Sequence, residues 1–221
     1  PARVEPGELT TDKLRVAAGY WTRELDKSLS RLGVDHVDAY YFMGVNDPRV
    51  VASEELHSAF EAARGAGKVS HLGISTHQNA QECLEAAIDT GWYSLAMIAI
   101  TPAGWYDYTV KNVRPGTGTL VALKPVLERA RDAGIGLVGM KAARHIATGA
   151  YGGKFEAAEA AEDFFDNLYD EVFLQSGLNA FQRSYAYCLG HGLDVVNADM
   201  QNFKHFEENV AAVRRVPELF A

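Results

Sequence analysis

Hydroxyl and amine side chains at the ends of apolar runs are where this sequence can do chemistry. Ser75 and Thr76 close the run Val69–Thr76. Such a pair can donate and accept hydrogen bonds to a ligand, or it can simply cap a strand end. Lys141 closes Ile135–Lys141, where it can pair with a phosphate or stand in solvent. His77 and His145 each follow an apolar run, so a two-histidine site is conceivable. Their spacing, like that of Arg144 and His191, fits no metal-ligand pattern. His36 and His71 read as packed or surface side chains. Asp35, Asp38, Asn46 and Asp47 likewise form no ligand spacing. Cys83 and Cys188 are far apart and read as buried thiols, which argues against a disulfide-stapled secreted domain. The aromatic stretch Trp105–Tyr108 either covers a site and its apolar ligand or packs on a partner chain.

The elements that position these residues follow a repeated order of amphipathic helix, glycine and short apolar strand. Thr10 or Thr11 caps a helix whose apolar stripe runs Leu14, Ala18, Trp21, Leu25, Leu29 and Leu32, ending at Gly33. His36–Met43 follows as a strand. Ser53 opens the next helix, with Glu54 and Glu55 in its first turn, where the helix dipole favours negative charge. Gly65 and Gly67 stop it before the strand Val69–Thr76. Asn79 caps a helix that ends at Gly91, and Ser94–Ile100 is a strand. The connection Thr101–Thr119 reads as loop. Pro125–Ala133 is a helix, Gly134 its stop and Ile135–Lys141 a strand. Ala142–Gly177 is irregular apart from a helical stretch, Ala157–Tyr169. Leu178–Leu189 is a helix, Leu193–Ala198 a strand, and a last helix starts near Asn202.

Five apolar strands alternating with helices imply right-handed βαβ units on a parallel sheet covered on both faces. A closed eight-stranded barrel takes about 250 residues, so either the sheet is open or the first units lie upstream. The chain has 221 residues, 48% of them hydrophobic, which suits one domain over residues 1–221. Its net charge of −8 argues against nucleic acid as the main partner. No apolar run reaches the length of a membrane span. No signal peptide is visible, which suggests a cytoplasmic protein, although the sequence begins at Pro1 and an upstream targeting segment stays open.

Three stretches resemble the aldo-keto reductase family. "LDKSLSRLGVDHVDAYYFMGVND" (Leu25–Asp47) looks like its helix and fourth strand. "GKVSHLGISTH" (Gly67–His77) is similar to its fifth strand, and "MQNFKHFEENV" (Met200–Val210) to its closing cofactor helix. "AGIGLVGMK" (Ala133–Lys141) supports the seventh strand. The resemblance implies an α/β fold, a (β/α)8 TIM barrel of aldo-keto reductase type, incomplete here at about five βα units. It implies a nicotinamide-dependent oxidoreductase acting on a small carbonyl or alcohol substrate.

The family's catalytic set is Asp, Tyr, Lys and His. In register, the first three would lie upstream of Pro1. The His position is Met43, whose thioether cannot donate a proton to a carbonyl oxygen. No catalytic residue is therefore expected in this chain. On the cofactor side the resemblance selects Ser75 and Thr76 for the nicotinamide carboxamide. It selects Met140 in place of the stacking aromatic, Lys141 for the pyrophosphate, and Asn202 and Asn209 near the adenosine. The helix opened by Asn202 would face phosphate with its N-terminus. The family's carboxamide-binding Gln appears as Met97. Asp199 would repel a 2′-phosphate, partly offset by Lys204 and His205, which favours NADH slightly over NADPH. The alternative is a non-catalytic relative that keeps the scaffold as a binding or structural subunit, in an oligomer or with a partner chain.

Overall fold

A computed structural model describes residues 9–146, 161–198 and 200–220. They fall into two compact units: residues up to Met97 with Ala130–Gly136, and Ile98–Arg129 with the residues from Leu137 on.

The first unit opens with α1 (Thr11–Leu32). Thr10 caps it by accepting a hydrogen bond from the Lys13 amide, and Gly33 closes it at φ 68°. Its buried stripe, Ala18, Trp21, Leu25 and Leu29, is the one the spacing predicts. Strand β1 (Val37–Met43) follows. A one-turn helix, α2 (Pro48–Val51), was not legible in the sequence; Asp47 caps it through the Arg49 amide at 2.9 Å. Helix α3 (Glu54–Gly65) starts at the Ser53 cap, as expected. Strand β2 (Val69–Thr76), helix α4 (Ala80–Thr90) and strand β3 (Leu95–Thr101) complete the series, β3 running on into the second unit.

Strands β1 and β2 are parallel, with Tyr41 opposite Gly73 and Met43 opposite Ser75. The Trp21 ring lies 5.5 Å from that of Tyr40 and 5.1 Å from that of Phe42. Tyr40 and Phe42 therefore face α1. By strand alternation Ala39, Tyr41 and Met43 leave the other face, with their partners His71, Gly73 and Ser75. His36 and His71 are exposed and bond Ser70 and Ser94, at 2.9 and 3.2 Å, as surface side chains do.

The expected Asn79 cap needs correcting. Asn79 sits at φ 49° without a side-chain cap bond, and its amide donates instead to the Asn46 carbonyl at 2.9 Å. The backbone turn that delivers the chain to α4 uses this side chain to hold the facing loop.

In the second unit, β3 continues into an antiparallel hairpin of β4 (Gly104–Asp107) and β5 (Asn112–Val113), where the sequence reading expected only loop. Glycine at 104 makes the hairpin possible: φ is +112° and a Cβ would lie 2.2 Å from the Gly118 carbonyl oxygen. Helix α5 (Lys124–Asp132) leads to β6 (Gly136–Met140), which pairs in parallel with β7. The β7 ladder is shorter than expected, Val195–Val196 rather than Leu193–Ala198. The Asp194 carboxylate accepts from the Leu137 amide at 2.8 Å, a side-chain bond at that strand end.

Between β6 and β7 stand a 3-10 turn (Asp166–Leu168), a one-turn helix α6 (Glu171–Leu174) and helix α7 (Ala180–Gly190), opened by a capping box of Asn179 and Gln182. The expected helix Ala157–Tyr169 lies partly outside the described residues; from 161 to 169 the chain makes turns and the 3-10 segment. Helix α8 (Phe203–Leu219) closes the chain. Among the described residues no helix is long and apolar enough to cross a membrane.

Candidate functional site

In the first unit the residues of interest gather at the C-terminal ends of β1 and β2. Ser75 and Thr76 are both fully buried, but alternation sends them to opposite faces. Thr76 is taken up by local structure. Its hydroxyl donates to the Gln78 carbonyl at 2.6 Å and lies 3.3 Å from Asn46 Oδ1. Ser75 shares its face with Met43 and Tyr41, and its Oγ has no hydrogen-bond partner. A buried hydroxyl without a partner is costly. Met43 is 60% exposed, so its thioether stands open at the strand end.

Two residues here were missed by the sequence reading. Asn46 organises the turn after β2: its Oδ1 accepts from the amides of His77 and Gln78 at 2.9 and 3.0 Å. One amide oxygen thus fixes the backbone next to Ser75. The visible clue was only an Asn after a strand, which is common. Tyr41 carries no local signal in the sequence, and its face becomes clear only from the register with β2. Burial raises the Tyr41 phenol above its usual pKa, so it stays protonated. Met97, where the resemblance expects a Gln, is half-buried on β3.

In the second unit Met140 is buried at the end of β6. Lys141 follows in the left-handed region at φ 72°. Burial, and then the Arg144 charge, lower its pKa. A lysine held that way gains from a nearby anion. His145, also left-handed at φ 78°, is buried. Its ring stacks on Phe164 at 4.4 Å and meets Tyr106 and Phe165 edge-on. Its Nε2 has no hydrogen-bond partner, and burial followed by Arg144 lowers its pKa. Trp105 and Tyr106 are 1% and 2% exposed, so these two rings belong to the interior and not to an open aromatic loop. His191 donates from Nδ1 to the Tyr187 carbonyl at 2.9 Å, a structural role.

Asn202 and Asn209 both belong to the α8 segment. The Asn202 Oδ1 accepts from the His205 amide at 3.0 Å, so this side chain is the helix cap. Asn209 helps line a mostly apolar groove of about 220 Å³ with Tyr185, Leu189, Val196 and Val213. Lys204 is exposed and 3.6 Å from Glu208. Asp199, from which a preference for NADH was expected, lies outside the described residues. Among the described residues no group of three or more His, Cys, Asp or Glu side chains is placed to hold a metal ion. Cys83 and Cys188 are free and buried.

Solved structures of similar fold include an aldo-keto reductase from Bombyx mori in complex with NADP. It is 16% identical with a TM-score of 0.53, over 93% of this chain and 65% of that one. An aldo/keto reductase from Brucella melitensis is 14% identical with a TM-score of 0.51, over 89% of this chain and 66% of that one. At such identities the likeness is one of fold: an α/β fold with a parallel sheet, of the aldo-keto reductase barrel type. In sequence the chain is similar to the Schizosaccharomyces pombe aldo-keto reductase yakc, whose name carries NADP(+), at 24% identity over 227 aligned positions. The alignment takes in 95% of this chain but 61% of that protein, so the chain spans less than two thirds of the relative's length. The model of the aldo/keto reductase family matches residues 12–216. The chain belongs to the aldo/keto reductase family.

Proposed function

We propose that this chain carries the nicotinamide-binding part of an aldo-keto reductase, a nicotinamide-dependent oxidoreductase for a small carbonyl or alcohol substrate. The observation that carries the reading is the Ser75 hydroxyl, fully buried, without a partner and on the face that Met43 leaves open. A nicotinamide carboxamide offers both the donor and the acceptor that this hydroxyl lacks. Ser75 would hold it. Thr76, already bonded to Gln78, would act by keeping the turn in place. In the second unit, the family pattern alone assigns Met140 to the stacking position, where a thioether tolerates an aromatic neighbour. Lys141 would meet the pyrophosphate, and Asn202 and Asn209 would serve the adenosine end, Asn202 by fixing the start of α8. When bound, the cofactor supplies the hydride.

All three boundaries between the units cut through secondary structure, β3 after Met97, α5 after Arg129 and β6 after Gly136. This favours reading residues 1–221 as one domain. For the form of cofactor, the relatives' names carry NADP(+) or NADP, which favours NADPH over the NADH expected from Asp199.

Met43 supports a second reading. It is an exposed thioether at the position where the family's His orients and protonates substrate, so the set is degenerate there. The protein would then be a non-catalytic relative that binds dinucleotide or a partner. To separate the two readings, NADPH or NADH is added to the full-length protein while nucleotide fluorescence and carbonyl reduction are followed. Binding with turnover supports the reductase, and binding without turnover supports the second reading. Absence of binding removes the reductase and leaves the relative that binds a partner.

A further inference from the structure

Tyr41 is the residue on the Ser75 face that neither the family pattern nor the proposed site uses. Its position is specific. In the β1–β2 register it stands opposite Gly73, one residue pair below Met43 and Ser75. Its ring lies on the Gly73 backbone: a Cβ at 73 would come within 2.6 Å of two ring carbons. Only glycine leaves that space, so the ring is laid across the strand that ends in Ser75. The ring is half-buried, and besides its strand pairing the hydrogen bond found at Tyr41 is one that its backbone carbonyl accepts from Trp21 Nε1 at 3.2 Å.

We infer that Tyr41 forms the floor of the nicotinamide pocket beside Ser75 and gives its hydroxyl to the carboxamide end of the ring. This rests on the cofactor reading above. The chemistry is complementary. Nicotinamide presents a flat ring and a carboxamide with one acceptor and two donor hydrogens. Position 43, at the end of β1, and position 97, the third residue of β3, are thioethers, which are weak acceptors and no donors. A phenol that stays protonated supplies the donor, and its ring gives the ligand a flat neighbour. Tyr41 is thus a binding residue at the reacting end of the cofactor. The substitution of His by Met43 and of Gln by Met97 leaves this end with two hydroxyls, Tyr41 and Ser75.

The test uses full-length protein and two probes: NADPH, and 2′-phospho-ADP-ribose, which is the same nucleotide without its nicotinamide. Dissociation constants are measured by fluorescence titration and by competition. Tyr41→Phe should weaken NADPH by about fivefold, the loss of one ligand hydrogen bond, and leave the fragment unchanged. Gly73→Ala, which pushes the ring off the strand, should give the same selective loss. If the native protein binds both probes and Tyr41→Phe changes neither, or weakens both alike, this inference falls and the cofactor reading stands. If the native protein binds neither probe, both fall.

Discussion

Ser75→Ala separates stability from binding at the candidate site. The hydroxyl is fully buried and its Oγ has no partner. In the unfolded chain the same hydroxyl bonds water, so folding leaves it short by about 1–3 kcal/mol. Removing the oxygen relieves that cost. It also leaves a void of one small atom, worth a few tenths of a kcal/mol at about 24 cal/mol per Å³. The net expectation for the ligand-free protein is a gain of about 1–2 kcal/mol. In urea this reads as a higher midpoint with unchanged slope. In a thermal scan it is an increase of about 2–4 °C for each kcal/mol in a domain of this size. The same substitution should weaken NADPH about fivefold, because the carboxamide then lacks its hydroxyl partner. Gain of stability with loss of affinity is the pattern of a site that keeps a group unsatisfied for its ligand. A Ser75→Ala protein less stable than the parent would refute the reasoning, since it would mean that the hydroxyl already has a partner inside the fold.

Asn46→Ala should destabilise by about 2–3 kcal/mol, because the amides of His77 and Gln78 lose their shared acceptor; urea midpoints check this, and a change under 0.5 kcal/mol would contradict it. Burial pushes the Cys83 thiol up to about 12 and also raises Cys188, so a maleimide at pH 8 should label neither in the native protein and both after unfolding. His145 is depressed by burial, then by Arg144, below its ordinary value of 6.5. The unfolded chain therefore binds more protons between the folded pKa and 6.5, and stability is full above 6.5 and is lost as pH falls through that window. His191, depressed mainly by burial, adds in the same direction. His145→Asn, which tolerates the left-handed backbone, should flatten the dependence of urea midpoints on pH between 7 and 5; an unchanged slope would count against the assignment.

The fold was largely legible because its signals are local. Thr10, Ser53 and Gly33 mark helix ends by their own chemistry, and the α1 stripe from Ala18 to Leu29 repeats at helical spacing. The β4–β5 hairpin was not legible. It depends on Gly104 meeting the Gly118 carbonyl, a contact across fourteen residues that no local pattern announces. Asn79 failed as a cap for a similar reason, because its side chain answers to Asn46 across 33 residues. At the site, Ser75 and Thr76 were equivalent as sequence. Alternation on β2 divides them, leaving one hydroxyl unpartnered and the other spent on the turn. Tyr41 was invisible as a site residue because its face is set by the pairing with Gly73, which exists only once two strands have met.

If the strand ends at Met43 and Ser75 bind a nicotinamide dinucleotide, the Ser75 hydroxyl must contribute to its affinity. The most direct measurement is a fluorescence titration of the full-length protein with NADPH, run in parallel on Ser75→Ala. Saturable binding by the parent, weakened about fivefold by the substitution, is the expected result. No saturable binding by the parent, or equal affinity in both proteins, would contradict it.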